Sequence, residues 1–352
     1  MKWLVKPQIG IDIGHRTIKA IKLTKKSGRV YLDSYFFHDL VNGNPKFPVV
    51  SALGETLDGL VEVAGFSDFS VAAAIDDSEV TTFDMSFPEM PAAEIAEAVM
   101  GELENRIHYP IEEASIDHKI VARTEENSNA MLMVKAYCAR KSEIKSILEL
   151  LESAKLRPES IDLAMLSNIE MLAFNGYLED DSYAIIVDLG ESRASAALVK
   201  GRRHLLTNSI PVSFGAMNRR LYEASSILYL EAEQMKLNMM QGQTSEQLNS
   251  QEVLEAVYLD LFRQLQKSVD FFKASSEGKS ISKILVIGGG SRFPSVCTTM
   301  TATFGIEVVV ANPFRSIDIF VKGKQPTNEI AQISSHMATA VGLALRGLNV
   351  AG

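Results

Sequence analysis

The stretch IGIDIGHRTIKAIKL, Ile9–Leu23, points to the fold, because it carries an acid, Asp12, inside an apolar and strand-like run. Burying a carboxylate in a strand is costly unless a partner compensates its charge. The residues on either side predict an antiparallel hairpin of Ile9–Ile13 and Thr17–Leu23, with Gly14 in the turn. We therefore expect Asp12 near the end of its strand, where it can reach a ligand.

A similar order of features returns later in the chain. The stretch YAIIVDLG, Tyr183–Gly190, again places an aspartate, Asp188, two residues before a glycine at the end of an apolar run. It continues as ESRASAALVKGRRHLLTNSI, which predicts a second strand, a turn at Lys200–Gly201 and a third strand. The two aspartates are 188 − 12 = 176 positions apart. Two similar β-rich starts at that separation predict two like domains that face each other.

Two further segments carry glycines or paired charges. The run ILVIGGGSRFP predicts a buried strand that ends in three glycines before a helix, where a base or sugar could lie. In EAEQMKL, Glu233 and Lys236 are three residues apart and share one face of a predicted helix, which suits the hydroxyls of a ribose. The chain contains neither a Walker A loop nor a complete dinucleotide-binding fingerprint.

Together these segments predict a site for a nucleotide with a metal ion. Turns that contain glycine let backbone N–H groups approach phosphates closely. A bound Mg²⁺ keeps most of its water, so Asp12 and Asp188 would hold it through water molecules. Lys19, or the backbone near Thr17, would add positive charge beside the phosphates.

The composition excludes several classes of protein. The 352 residues carry a net charge of −9, which argues against nucleic acid as the main partner. Cys138 and Cys297 are the only cysteines, as expected in a reducing compartment without a disulfide framework. The N-terminus lacks the features of a signal peptide, and no stretch has the length and hydrophobicity of a transmembrane helix. These features predict a cytoplasmic protein.

Between Pro88 and Leu156 the pattern changes to that of a small α-β-β-α unit. Its predicted elements are a helix at Ala93–Arg106, strands at Ile116–Ala122 and Ala130–Ala139, and a helix at Ser142–Ala154. Elsewhere the pattern predicts the strands Val30–Phe37, Ser70–Ile75, Val80–Ser86 and Glu307–Ala311, the helices Leu53–Ala64, Ile161–Asn175, Ala216–Met240, Val253–Ser275, Cys297–Thr303 and His336–Leu348, and a loop at Gln241–Ser250. The last of these helices is rich in alanine and glycine, which predicts close packing against a neighbour.

The order of these motifs resembles that of the actin-like ATPase superfamily, and within it the chain is similar to the PilM family of type IV pilus assembly. The similar stretches are SFPEMPAAEIAEAVMGELENRIHYPIEEASIDHKIV, LELLESAKLRPESIDL, AEQMKL with LQKSVDFFKAS, and VIGGGSRFPSV with ANPF and AVGLALRGL. The resemblance implies an α/β, actin-like (ribonuclease H-like) fold with two lobes and a small inserted α+β subdomain. It implies a first lobe of residues 1–87, 157–180 and 330–352, an insert of 88–156, and a second lobe of 181–329 whose outer part is about 217–280.

The resemblance also implies a function and a set of site residues. Proteins of this family bind ATP or ADP with Mg²⁺ between the lobes, and they bind the N-terminal cytoplasmic segment of the inner-membrane protein PilN. The chain would then join the pilus alignment and motor proteins at the inner face of the inner membrane, with membrane contact only through partners and self-association left open. The residues that match the family's nucleotide-binding motifs are Asp12, Gly14, Thr17, Lys19, Asp188, Gly190, Gly215, Glu233, Lys236, Gly289, Gly290 and Ser291.

Several residues depart from the family pattern. His15 and Arg16 stand where small or hydroxyl residues are usual, and Glu191 and Ala194 replace a small residue and a threonine after the second aspartate. Glu191 would repel a phosphate unless Mg²⁺ or Arg193 intervenes, whereas Arg16 would add a phosphate contact. We identify no residue as a base for water, so any ATPase activity is expected to be slow.

Three other functions share the fold and remain open at this point. An active small-molecule kinase or ATPase would need a general base facing its acceptor, for which the sequence offers no obvious candidate. A division protein like FtsA would carry an amphipathic membrane helix after the last connector, and the chain ends at LNVAG without one. A platform component of type II secretion is not distinguished by these patterns.

Overall fold

The computed structural model describes residues 8–39, 70–126, 129–212, 214–225, 229–240, 250–275, 278–319 and 327–348. The predicted helix Leu53–Ala64 and nearly all of the predicted loop Gln241–Ser250 lie outside these ranges. The chain divides into two compact units, one of Met1–Ala74 with Ala154–Gly352 and the other of Ile75–Ser153.

The described strands form three sheets. The strands are β1 Gln8–Ile13, β2 Thr17–Lys26, β3 Arg29–Asp39, β4 Ser70–Ile75, β5 Val80–Pro88, β6 Ala114–Glu126, β7 Asn129–Arg140, β8 Arg157–Leu163, β9 Tyr183–Leu189, β10 Ala194–Lys200, β11 Arg203–Ile210, β12 Ile281–Ile287, β13 Glu307–Val310 and β14 Asp318–Ile319. Their orders are β14-β3-β2-β1-β4-β8, β11-β10-β9-β12-β13 and β5-β7-β6.

The helices connect and cover these sheets. They are α1 Ala92–Glu104, α2 Lys141–Ser153, α3 Ala164–Phe174, α4 Gly215–Ser225, α5 Tyr229–Met240, α6 Ser250–Ser275, α7 Pro294–Phe304, α8 Thr327–Ile333 and α9 Ala338–Gly347. Within the described ranges, no helix combines the length and the hydrophobicity needed to cross a membrane.

The repeat expected from the sequence is present in the sheet topology. In the first sheet β1 pairs antiparallel with β2, β2 pairs antiparallel with β3, and β1 pairs parallel with β4. In the second sheet β9, β10, β11 and β12 make the same set of pairings in the same order. The two Asp-x-Gly segments therefore end equivalent strands, β1 and β9.

Two hydrophobic layers cover the second sheet. One face packs against α4, α5, α6 and α7, through residues such as Met217, Leu265 and Met300. The other face shares a core with α3, α9 and strands β2 and β3 of the first sheet. The two segments of the first unit, Met1–Ala74 and Ala154–Gly352, therefore both contribute residues to one continuous apolar core.

Glycines allow the close packing of α9 that its composition predicts. A Cβ on Gly342 of α9 would lie 1.9 Å from the carbonyl oxygen of Ser167 in α3. A Cβ on Gly10 of β1 would lie 2.1 Å from the carbonyl oxygen of Ala340 in α9. Backbone therefore packs directly against backbone on both sides of this helix.

The second compact unit has a sheet and a core of its own. Strand β5 pairs with β7 along its whole length, so this unit begins at Ile75, whereas the sequence analysis started the insert at Pro88. Pro88 is the last residue of β5 and Pro91 follows it, so these prolines mark the region where the strand ends, but they carry no information about its partner. Its apolar core contains Met85, Ile95, Val99, Leu103, Leu132, Val134 and Ala136.

Two local predictions differ from the structure. The helix expected at Ile161–Asn175 begins at Ala164, because Arg157–Leu163 forms β8 at the edge of the first sheet, a position where Pro158 is tolerated. The GGGS segment does not run directly into a helix. It forms a 3₁₀ turn at Gly289–Arg292, and α7 follows from Pro294.

Candidate functional site

The two hairpin turns are built in the same way. The N–H of Gly14 donates to the carbonyl of Thr17 at 3.0 Å, and the N–H of Gly190 donates to the carbonyl of Arg193 at 3.1 Å. A Cβ would lie 3.1 Å from the first carbonyl oxygen and 2.7 Å from the second. The glycines therefore shape the turns, and their own N–H groups are used inside those turns.

The two turns also touch each other, as the sequence analysis expects of two facing hairpins. The Oγ of Ser192, in the second turn, lies 3.1 Å from Nδ1 of His15 in the first. Arg16, in the first turn, forms an ion pair with Glu233 of α5, which packs on the second sheet. The structure thus brings together segments that are far apart in the sequence.

Asp12 is compensated by Lys19, which lies directly opposite it in the hairpin. The Nζ of Lys19 is 2.6 Å from Oδ2 of Asp12, and Lys19 is only 8% exposed. This contact explains how an acid is accommodated in an apolar strand, since a buried charge requires a partner. Thr17, which begins the return strand, is also buried.

Asp188 occupies the equivalent place at the end of β9 but has different neighbours. The Nδ2 of Asn168 donates to its Oδ2 at 3.3 Å, and the hydroxyl of Thr339 donates to Oδ1 of Asn168 at 3.1 Å. The sequence analysis missed Asn168 and Thr339. An asparagine in the largely apolar run AMLSNIEMLAF was a signal that could have identified the first of them.

The glycine-rich turn packs against protein groups. A Cβ on Gly288 would lie 2.3 Å from Oδ1 of Asp188, and one on Gly289 would lie 2.7 Å from Nε2 of His336. A Cβ on Gly290 would lie 2.4 Å from the ring of Phe214. Close internal packing therefore accounts for all three glycines, including Gly288, which the sequence analysis did not assign to the site.

Hydrogen bonds hold this turn at the start of the last helical segment. The N–H of Gly288 donates to the carbonyl of Ser335 at 3.1 Å. The hydroxyl of Ser291 donates to the carbonyl of Gly288 at 2.7 Å, so this predicted adenosine-loop residue has a role within the turn itself.

The helix residues Glu233 and Lys236 form a buried ion pair, with the Nζ of Lys236 3.0 Å from Oε2 of Glu233. The same Nζ lies 3.1 and 3.0 Å from the two carboxylate oxygens of Glu191. Lys236 is 1% exposed. Lys236 is therefore a cation that compensates Glu191, and the sequence analysis did not identify this contact.

Arg16 extends this arrangement to the first hairpin. Its Nη2 is 2.8 Å from Oδ2 of Asp39, its Nη1 pairs with Oε1 of Glu233, and its Nη1 is 3.8 Å from Oε1 of Glu191. We call Asp39, Arg16, Glu233, Lys236 and Glu191 the charge network. Arg16 thus contacts three carboxylates, and the phosphate contact expected of it stays a prediction.

The charge network changes the proton affinity of its members. Burial lowers the pKa of Arg16, but contacts with Asp39, Glu233 and Glu191 together raise it by more than burial lowers it, so the net shift is upward. Burial raises the pKa of Glu233, but Lys236 and Arg16 outweigh burial and lower it below its usual range. Both side chains therefore stay charged, and the network persists at neutral pH.

Gly215 anchors Glu191 through the backbone. Its N–H donates to the carbonyl oxygen of Glu191 at 2.9 Å, and a Cβ on Gly215 would lie 2.5 Å from that oxygen. Gly215 is the first residue of α4. The N-terminus of this helix therefore binds Glu191, which directly follows Gly190 of the second Asp-x-Gly segment.

His336 is a further residue that the sequence analysis missed. Burial lowers its pKa to about 3, and the nearby charges of Lys19, Arg292 and Arg16 act in the same direction. A neutral imidazole with so low a pKa is a poor proton acceptor at neutral pH. Its ring also packs edge to face against Phe37 at 5.5 Å.

The three cations of this region already have carboxylate partners. Arg16, Lys19 and Lys236 converge here, and each is paired with at least one carboxylate. In the described part of the chain, no three His, Cys, Asp or Glu side chains form a cluster that could hold a metal ion directly.

Comparisons with known proteins agree with this architecture. The model of the family described as type IV pilus assembly protein PilM matches residues 10–348. A chain from a solved PilM-PilN type IV pilus biogenesis complex is 22% identical, with 98% of this chain and 99% of that chain covered and a TM-score of 0.83.

Two other solved structures share the fold at lower identity. The ethanolamine utilization protein EutJ from Carboxydothermus hydrogenoformans is 13% identical over 97% of this chain and 89% of its own, with a TM-score of 0.52. MreB5 of Spiroplasma citri bound to ADP is 11% identical over 89% of this chain and 93% of its own, with a TM-score of 0.51. The predicted actin-like α/β fold is thus confirmed, and the chain belongs to the PilM family of type IV pilus assembly proteins.

Proposed function

We propose that this protein binds ATP or ADP with Mg²⁺ between its two hairpin turns and acts as a nucleotide-binding component of the type IV pilus machinery. The observation that carries this proposal is the contact between the two Asp-x-Gly turns, through His15 with Ser192 at 3.1 Å and through Arg16 with Glu191 at 3.8 Å. Two equivalent strand ends, each with an aspartate and a glycine turn, suit a ligand with several phosphates. MreB5, which shares the fold, was solved with ADP.

The residues that would hold the nucleotide follow from the motifs. The phosphates would lie beside the turns of Gly14 and Gly190, with Thr17 and Lys19 nearby. Asp12 and Asp188 would hold Mg²⁺ through water. A divalent ion would supply charge neutralisation for the phosphates, and we assign no residue of this chain as a base for hydrolysis.

The adenosine part would use the second half of the chain. Glu233 and Lys236 would face the ribose, Gly289, Gly290 and Ser291 would face the base, and Gly215 would close the site. We further propose that the first unit contains two lobes, one of 1–87 with 157–180 and 330–352 and the other of 181–329, with two differences: residues 75–87 lie in the second compact unit, and β14 at 318–319 pairs with the first sheet.

The proposed protein partner is the N-terminal cytoplasmic segment of PilN. The solved complex in which a chain of the same fold occurs contains PilM and PilN, and this chain belongs to the PilM family. Through PilN the protein would join the pilus alignment and motor proteins at the inner face of the inner membrane, and it would touch the membrane only indirectly.

Calorimetric titration with Mg-ATP and Mg-ADP tests the nucleotide site. We expect micromolar binding that Asp188→Asn abolishes, because that substitution removes the carboxylate placed beside the metal ion. Asp318→Asn, at an exposed position on β14, removes the same charge elsewhere and serves as the control. Binding that is equally strong in the Asp188 variant, or absent from the folded parent protein, would contradict the proposal.

Fluorescence anisotropy of a labelled PilN N-terminal peptide tests the partner separately. The peptide should bind the purified protein, and Mg-ATP should change its affinity if the nucleotide sets the relative position of the two lobes. A peptide that binds under no nucleotide condition would contradict the PilN assignment without affecting the nucleotide site.

A further inference from the structure

We propose that the Glu191 carboxylate binds the Lys236 ammonium group in the place of a ligand, and that a nucleotide must displace this carboxylate in order to bind. This inference rests on the proposed nucleotide site. It assigns Glu191 a role opposite to that of a ligand-binding residue, because its removal should strengthen binding.

The geometry of Lys236 is the first observation. Both carboxylate oxygens of Glu191 lie within hydrogen-bonding distance of its ammonium group, at 3.1 and 3.0 Å, and Glu233 supplies a third oxygen at 3.0 Å. An ammonium group has three hydrogens to donate. Three carboxylate oxygens therefore meet its donor capacity, and an oxygen of the nucleotide, from the ribose or from a phosphate, has to replace one of these partners.

The three side chains differ in how firmly they are held. Lys236 is 1% exposed and Glu233 is 7% exposed, and Glu233 is bound by Arg16, Asn218 and Lys236. The side chain of Glu191 is 25% exposed, and within the described residues its carboxylate contacts Lys236 and, at 3.8 Å, Arg16. Glu191 is therefore the partner that can leave.

The backbone permits this exchange without rebuilding the turn. The carbonyl of Glu191 stays bound to the N–H of Gly215, and the N–H of Gly190 stays bound to the carbonyl of Arg193. Rotation of the Glu191 side chain toward solvent would therefore free Lys236 while the hairpin keeps its shape.

The charge balance of the network favours displacement of the Glu191 carboxylate over binding of a phosphate beside the intact network. The charge network contains three carboxylates, Asp39, Glu191 and Glu233, and two cations, Arg16 and Lys236. A phosphate added beside this net negative charge is repelled, since like charges interact unfavourably at these distances even in a partly aqueous medium. Moving the Glu191 carboxylate away leaves the two cations balanced by two carboxylates, and the repulsion falls.

The decisive experiment compares Glu191→Gln with Asp39→Asn in calorimetric titrations with Mg-ATP and, separately, with inorganic tripolyphosphate. Both substitutions remove one negative charge from the network, but Asp39 contacts Arg16 and Glu191 contacts Lys236. We expect Glu191→Gln to bind Mg-ATP roughly tenfold more tightly, the change that about 1.4 kcal/mol produces. Asp39→Asn should strengthen binding by a clearly smaller factor.

The results of these titrations can overturn the inference in two ways. Unchanged or weaker binding by Glu191→Gln, or an equal gain in Asp39→Asn, overturns the inference and leaves the nucleotide site intact. If neither the parent nor any variant binds Mg-ATP or tripolyphosphate, the nucleotide site and the inference both fail.

Glu191→Ser is measured alongside, because it removes the carboxylate and also its bulk. Thermal unfolding without ligand shows whether each variant is folded. If neither Glu191 variant folds, the carboxylate is a permanent structural partner of Lys236, and that result also overturns the proposal.

Discussion

His336 shows how a single side chain reports the electrostatics of the site. It packs against Gly289 and faces the cations Lys19, Arg16 and Arg292, and its pKa is lowered to about 3. An unfolded chain would protonate the same imidazole near pH 6.5. Between these two values the unfolded state binds more protons than the folded state, so stability rises with pH in this interval.

We therefore predict that His336→Gln flattens the pH dependence of unfolding. The parent should lose about 2 kcal/mol relative to the variant as the pH falls from 7 to 5, because protonation of one imidazole is suppressed in the folded state alone. Denaturant unfolding at several pH values measures the difference. His108→Gln, at an exposed imidazole, is the control, and identical pH slopes for the parent and His336→Gln would contradict the prediction.

Gly288 supports a second prediction at this scale. Its φ of 84° and ψ of 170° suit glycine, and a Cβ there would also meet Asp188. Gly288→Ala should destabilise the fold by about 1–3 kcal/mol from backbone strain, with the steric clash in addition. Gly278→Ala is the matched control, since Gly278 also has a positive φ, 75°, but nothing lies within 4 Å of its Cβ position. Equal losses in thermal stability would show that the contact with Asp188 is unimportant.

At the scale of elements, the hairpins and the last helix depend on different properties of the sequence. Each hairpin pairs strands that are neighbours in the chain, so a turn glycine and the apolar pattern are enough to form it. Helix α9 instead depends on small residues, because backbone from β1 and from α3 approaches it closely.

Two helical glycines test this difference. Gly342→Ala should destabilise the first unit by about 1–3 kcal/mol or more, because the new methyl group overlaps the carbonyl of Ser167. Gly101→Ala, in the exposed interior of α1, should stabilise its helix by about 0.5–1 kcal/mol, because nothing lies near its Cβ position. Hydrogen exchange in α9 and α1 reports each effect locally. A Gly342→Ala variant as stable as the parent would contradict the close packing.

At the scale of the whole molecule, the chain contains two compact units that have separate cores. The core of residues Ile75–Ser153 includes Leu103 and Val134, whereas Leu285 and Val341 belong to the first unit. Units with their own cores open independently when one of them is destabilised.

Substitutions in the two cores should therefore have separate effects. Leu103→Ala should cost about 2–5 kcal/mol and speed hydrogen exchange in β5, β6 and β7, while β9 and β12 keep their protection. Leu285→Ala, at an equally buried position, should produce the reverse pattern. Exchange that accelerates throughout the chain in both variants would show that the molecule unfolds as one unit.

The sequence alone was enough to place the two Asp-x-Gly hairpins, their repeated order and the small residues of α9. These features depend on backbone sterics at a turn and on pairing between neighbouring strands, which act over a few residues. The face shared by Glu233 and Lys236 was predictable for the same reason, since residues three apart on a helix are neighbours.

The partners of the charges depended on tertiary packing. Lys236 binds Glu191, which is 45 residues away in the sequence. Asp188 accepts from Asn168 of α3, and Asn168 in turn accepts from Thr339 of α9. The partner strand of β5 and the contact between His336 and Gly289 were likewise not predictable. A charge or a strand edge pairs with whichever group the fold brings within a few ångströms, and a local pattern carries no information about that choice.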